Sequence, residues 1–225
     1  KVFESFIHCH FKDSKDKCIV GRSILSIFSL ILIPVYGIDQ DSKLDDKITS
    51  VLAPSAHLIL ESFASSGTGT RVITPLAVTL DGNHKYEYLN FTGDFFNQWL
   101  DSVLDFSLLI INIRSLIDHE PTRLELVLYG KLPALTTLYA SGGSHRVHIL
   151  NLLSALVTAK WKEEEAPSIL SHLKPDFSKI LTSSIAADLE NPFDSDQLKV
   201  SLYKFIGAVM GSKHKGLSML FIEGS

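Results

Sequence analysis

Apolar residues recur along this chain at three- and four-residue spacing, and short Pro, Gly and Ser clusters break the runs. That pattern predicts helix after helix. Cys18 to Ile33 is apolar nearly all round, which predicts a helix buried between neighbours. Asp39 to Lys47 is charged and reads as a loop or the start of the next helix. Pro54 suits a first helical turn, so a short helix is expected from about Pro54 to Ala64. Ser65 to Thr70 breaks the chain, and Val72 to Leu80 reads as either a strand or a short helix. Asp81 to His84 forms a turn.

The strongest helical pattern follows. Thr92 is a candidate N-cap with Asp94 in the first turn. Phe95, Phe96, Trp99, Leu100, Val103, Leu104 and Phe106 continue it at mixed helical spacing. Glu120-Pro121 marks a new start, and Leu124 to Tyr139 reads as a helix interrupted near Gly130 and Pro133. Ser144 is placed to cap a stripe of Val147, Leu150, Leu153, Leu156 and Val157. Pro167 and Pro175 each open a helix. Asp194 or Ser195 caps another over Gln197 to Met210, and Lys213 to Ile222 adds a last one. About eight to ten helices of ordinary length result. Their pairing through short Pro/Gly turns gives the expected fold class: all-α, an irregular HEAT/armadillo-like α-solenoid of antiparallel helix pairs, with residues 1–225 as a single segment. A closed bundle is the alternative. The solenoid is favoured because several helices look apolar on more than one face.

Composition narrows the class. The 225 residues are 45% hydrophobic and 20% charged, too apolar for a disordered chain. A net charge of −4 argues against a dedicated nucleic-acid binder. Only Cys9 and Cys18 are present, which excludes a disulfide scaffold and fits a reducing compartment. No signal peptide is apparent, and a first residue of Lys1 fits a piece of something longer. The uncharged run from Ser23 to Ile38 is shorter than a membrane span and ends at Pro34 and Gly37, so a buried helix is the preferred reading.

Candidate chemistry is sparse. His8, Cys9, His10 and Cys18 lack the paired spacing of a structural zinc site. Ser66-Gly-Thr-Gly-Thr70 lacks the lysine and preceding strand of a phosphate loop. Ser141 to Arg146 gathers a hydroxyl, an imidazole and a guanidinium at a helix N-terminus, a place for an anion or simply a capped turn. Asn90-Phe-Thr92 matches a glycosylation sequon that has no meaning without secretion. Lys160 to Glu165 reads as a solvated helix end, and Trp99, Trp161 and Phe193 as core aromatics before interface anchors. The residues therefore point to no catalytic, cofactor-binding or metal-binding position. An α-helical interaction scaffold is favoured over an all-α enzyme with a scattered site.

Several blocks carry a resemblance. Val51-Leu-Ala-Pro-Ser-Ala-His-Leu-Ile-Leu-Glu-Ser-Phe63 is followed by a Ser/Gly loop and Arg71-Val-Ile-Thr-Pro-Leu76. Later come Ala166-Pro-Ser-Ile-Leu-Ser-His-Leu173, Asn191-Pro-Phe193, Leu198 to Val209 and Gly216 to Gly224. In order and spacing these resemble the large inner-ring scaffold nucleoporins of the one-eighty-eight family. They resemble the later half of such a protein, over roughly Val51 to Ser225. The resemblance implies a non-enzymatic α-solenoid in the inner ring of the nuclear pore complex, at the nuclear envelope, supporting nucleocytoplasmic transport. It implies linker nucleoporins as partners, with transport receptors as further candidates and Phe-Gly repeat binding left open. It implies no cofactor, no direct nucleic-acid contact and no transmembrane segment. Another helical-repeat adaptor, such as a transport receptor or a membrane-traffic tether, is the alternative.

Overall fold

The computed structural model describes residues 2–6, 9–38, 46–64, 69–81, 93–117, 122–159, 169–191, 195–212 and 215–223. Among these the regular structure is entirely helical. In chain order the helices are α1 (Val2–Ser5), α2 (Ser14–Tyr36), α3 (Asp46–Ala64), α4 (Gly69–Asp81), α5 (Gly93–Leu116), α6 (Arg123–Gly130), α7 (Leu132–Ala140), α8 (Arg146–Thr158), α9 (Ile169–Glu190), α10 (Asp196–Gly211) and α11 (Lys215–Glu223). This is the all-α class that the spacing predicts. Val72 to Leu80, ambiguous as sequence, lies wholly within α4.

Local chemistry sets the ends. Asp13 is extended, and its carboxylate accepts the Lys15 N–H at 2.9 Å, which starts α2. Gly37 ends it in the left-handed region at φ 62°, returning its N–H to the Ile33 carbonyl. Of the two cap candidates before α10, Ser195 does the work, its hydroxyl accepting the Leu198 N–H at 3.2 Å. Ser144 does not cap α8: His145 holds the cap position and makes no side-chain capping bond.

Prolines depart from expectation. Pro54 lies inside α3, which starts at Asp46 rather than at the proline. The bond that Pro54 cannot make would reach the carbonyl of Ser50, an exposed residue whose carbonyl water can serve. Pro34 and Pro75 likewise sit inside α2 and α4. Pro175 does divide its helix. Lys174 is thrown to φ 60°, ψ 158°, so α9 consists of two helical pieces across a kink.

The chain divides into two compact units, Lys1–Leu124 and Glu125–Ser225. In the first, α2 packs most extensively on α5 and then on α3. A Cβ on Gly21 would meet Trp99, and the Phe28 ring lies 6.1 Å from Phe106. Both pairs share one sequence offset, so α2 and α5 run parallel. An aromatic cluster fills the space between helices. Phe63 meets Phe106 at 4.9 Å, Phe6 meets Trp99 at 5.7 Å, and Phe3 meets Phe63 at 6.2 Å. Burying each such side chain contributes about 1.5–3 kcal/mol.

In the second unit α7 packs on α9 and α8 on α10. Tyr129 of α6 lies against His172 and Tyr139 of α7 bonds Asp188, so α6–α7 and α9 run in the same direction. A helix pair is thus followed by a second pair, like stacked on like, as in helical repeats. The α11 helix folds back antiparallel on α10 through Phe205 and Phe221, whose rings are 6.0 Å apart.

Candidate interaction surfaces

The residues singled out in the sequence do not converge. Cys9 and His10 are exposed, whereas Cys18 is buried in α2. Burial, chiefly, pushes the Cys18 thiol above its ordinary range, which leaves little thiolate for a metal or a substrate. His8 lies outside the described residues. Among the described residues no three His, Cys, Asp or Glu side chains gather as metal ligands would. Residues 66–68, the sequon at 90–92, the charged run 160–165 with Trp161, and Phe193 also lie outside the described residues. Gly69 and Thr70 open α4.

The turn from Ser141 to Arg146 has a clear internal role. Gly142 and Gly143 take φ of 80° and 94°, which lets the chain reverse between α7 and α8. Arg146 Nη1 donates to Asp188 Oδ1 at 2.5 Å, and the Tyr139 hydroxyl donates to Asp188 Oδ2 at 2.5 Å. Asp188 is 8% exposed and Tyr139 is 1% exposed. The guanidinium that the sequence offers to an outside anion is matched by a carboxylate of the chain itself. Trp99 is core: it is buried, and its Nε1 donates to the Thr79 hydroxyl at 2.8 Å. Tyr129 is also buried, donating to the Leu156 carbonyl at 3.0 Å. Burial first, and the neighbouring Glu125 second, raise its phenol well above the ordinary value.

What the surface does offer is apolar. α2 was expected to be enclosed, yet only Cys18, Gly21, Leu25 and Leu32 are buried along it. Ile27 is 55% exposed and Leu30 is 69% exposed. Hydrophobic content on several faces predicts burial only where a neighbour exists for each face. By length and composition α2 is the one helix among the described residues able to cross a membrane. α3 exposes Val51 and Leu58 at one helical spacing, and α10 exposes Val200, Tyr203 and Met210. Both methionines of the chain, Met210 and Met219, are on the surface.

Between α2 and α5 lies an open cleft of about 470 Å³. Its lining recurs every three to four residues on both helices, as a seam between parallel helices must. The sequence reading missed it. The local signal for it was the pair Ser26 and Ser29, small polar residues in an otherwise apolar run, which line it from α2.

Over residues 1–225 the chain matches the family described as nucleoporin Nup188, N-terminal subdomain III. It is 27% identical to nucleoporin NUP188 of Saccharomyces cerevisiae, a match covering 99% of this chain and 14% of that protein. It is 25% identical to nucleoporin nup184 of Schizosaccharomyces pombe over its full length, covering 15% of that protein. Against nucleoporin NUP188 of Chaetomium thermophilum the identity is 22%, over 99% of this chain and 12% of the relative. The chain therefore spans between 12% and 15% of the length of these relatives. The expected position in the later half is corrected by the family description, which is N-terminal. The match also takes in the first 50 residues, which the resemblance had left aside. Blocks of apolar, Pro and Gly residues report local helix packing, which recurs along a stacked helical chain and so carries little information about position. The chain belongs to the Nup188 family of nucleoporins, as its N-terminal subdomain III.

Proposed function

We propose that this chain is a structural, non-enzymatic segment of a scaffold nucleoporin in the inner ring of the nuclear pore complex at the nuclear envelope. It supports nucleocytoplasmic transport by giving other nucleoporins a surface to dock on, linker nucleoporins first among them. The observation that carries this reading is the family match across residues 1–225. The small share of each relative that it covers supports a role as one segment of a longer scaffold. The surface suits that role: exposed Tyr203, Met210, Met219, Val51 and Leu58 give apolar anchors at several places rather than one enclosed pocket.

The test is affinity purification of the full-length parent protein from nuclear-envelope extract, read by mass spectrometry. Near-stoichiometric linker nucleoporins are expected. Recovery of vesicle-tethering or cytosolic proteins with no nucleoporins would sink the reading. Transport receptors, if they engage this scaffold, should appear in the same eluate in smaller amounts.

A further inference from the structure

The helices of the second unit alternate in direction and stack in two columns. α9 lies on α7 and runs the same way. α8 reverses on α6–α7, since Tyr129 reaches Leu156 while Tyr139 and Arg146 share Asp188. α10 returns from the end of α9 and lies on α8. α11 reverses again. Phe205 meets Phe221, the Ser218 hydroxyl donates to the Val209 carbonyl at 2.9 Å, and Gly216 sits against Leu170 at the start of α9. α11 therefore runs like α9, and it packs on it. Among the described residues one column holds α7, α9 and α11. The other holds α8 and α10, one helix fewer.

The outer face of the shorter column is apolar. α10 buries Leu198, Leu202, Phe205 and Val209 on one side. On the opposite side Val200, Tyr203 and Met210 are 51%, 67% and 44% exposed. With Gly207 they are spaced by three, four and three residues, the seam that a neighbouring helix fills. A helix with an apolar seam on each of two sides is built as an inner member of a stack.

Gly207 is an independent mark of the same neighbour. Glycine is among the poorest helix formers, and inside a helix it suits a place where something comes close. Gly21 and Gly216 are of this kind, closed by Trp99 and Leu170. Gly130 and Gly211 end their helices, where glycine is ordinary. Gly207 lies within α10, and no described atom stands within 4 Å of its Cβ position. No contact among the described residues accounts for it.

A second copy of the chain is a poor occupant. Laid parallel, it sets Lys199 against Lys204. Laid antiparallel with Tyr203 on Gly207, it sets Lys204 beside its own copy. A further helix of the same parent protein fits better. The relatives are several times longer than this chain. A helix that reverses on α11 runs parallel to α10 and arrives beside it.

We propose that the Val200–Tyr203–Gly207–Met210 face of α10 stacks against the helix that follows α11 in the parent protein, parallel to α10 and with a large apolar side chain over Gly207. The space at Gly207 is open in the 225-residue chain and closed in the parent. Tyr203 and Met210 then belong to the stack, and partner docking falls to the remaining exposed anchors, Val51 and Leu58 of α3 among them. The proposal goes beyond the scaffold reading and holds whichever partners the parent binds.

The test uses the purified full-length parent protein, diluted until it is monomeric. Hydroxyl-radical oxidation is read residue by residue by mass spectrometry. Tyr129 and Tyr139, 0% and 1% exposed, mark the rate of a buried phenol in the same molecule. Tyr203 should lose its reactivity and oxidise as slowly as they do. Fast oxidation of Tyr203 overturns the proposal. A photocrosslinking amino acid placed at position 204, beside the seam, identifies the neighbour. Its adduct should fall in the helix next after α11. An adduct with a second copy, an adduct with a distant part of the parent, or no adduct overturns the proposal as well. None of these failures stops the envelope purification from recovering nucleoporins, so they are separable from failure of the scaffold reading.

Discussion

Gly21 is packed flat against Trp99: a Cβ at Gly21 would stand 2.9 Å from the indole Cζ3 and 2.7 Å from Phe6 Cζ. Only a residue without a side chain lets α2 come this close to α5. The indole has no room to retreat, being 5% exposed and held through its Nε1–H on the Thr79 hydroxyl.

Gly21→Ala sets two effects against each other. Helix propensity alone would stabilise α2 by about 1 kcal/mol. Overpacking a closed site costs about 1–3 kcal/mol, and the buried, hydrogen-bonded Trp99 puts this site toward the upper end. The net expectation is a loss of about 1 kcal/mol in urea unfolding. A gain in stability would show that the ring cluster yields, and would contradict the account of α2–α5 packing. Gly207, with open space around its Cβ position, is the control at which Ala should stabilise.

The same pair shows how far the sequence could be read. Trp99 was legible as core because it falls in a run of apolar residues at helical spacing. Its partner Gly21 was not, because α3 and α4 intervene and helical periodicity says nothing about which faces meet. The α2–α5 groove was hidden for the same reason: its lining comes from both helices. Pro54 was read as a helix start because a first turn is where proline costs nothing, yet an exposed interior turn tolerates it too. Asp188, which holds Arg146 and Tyr139, stands 42 residues beyond Arg146 and gave no local sign of its role.

At Lys174 the backbone stands at φ 60°, ψ 158°, a region that carries a steric cost for any residue with a Cβ. Pro175 bars Lys174 from helical geometry and accounts for the extended ψ, but the restriction before proline favours negative φ and does not account for the positive one. The Lys174 side chain is exposed, so its removal costs little. Lys174→Gly relieves strain of about 1–3 kcal/mol against about 1 kcal/mol of unfolded-state entropy. A net gain of about 1 kcal/mol is expected in chemical denaturation. Lys174→Ala keeps the Cβ and should leave stability nearly unchanged. Equal effects from both variants would mean that the kink is not strained.

Asp188 joins α9 to both ends of the α7–α8 turn. Tyr139→Phe removes a hydrogen bond to a buried carboxylate and should cost about 1.5–3 kcal/mol. Asp188→Ala leaves the Arg146 charge and the Tyr139 hydroxyl without their partner, and should cost about 3 kcal/mol, tempered by the partial exposure of Arg146. The double variant should cost clearly less than the sum, because the two side chains share one interaction. Additive losses in thermal or urea unfolding would show that they act independently.

Alkaline pH should weaken the fold through two buried acids. Burial raises the Cys18 thiol above 9.0, and burial with the Glu125 charge raises the Tyr129 phenol above 10.0. In each case the folded state holds its proton more tightly than the unfolded chain does. The unfolded chain starts to release the Cys18 proton near pH 9 and the Tyr129 proton near pH 10, while the folded chain keeps both. Stability is therefore full below pH 9 and declines as pH rises beyond it, by at most about 1.4 kcal/mol per pH unit for each group. Melting temperatures from pH 7 to pH 11 should show the decline begin near pH 9 and steepen past pH 10. Tyr129→Phe should start about 1 kcal/mol less stable, because the bond to the Leu156 carbonyl is gone, and should lack the steeper part. A profile that stays flat to pH 11 would mean that neither group is buried as the helices place it, and a Tyr129→Phe profile as steep as the parent's would mean that Tyr129 is not.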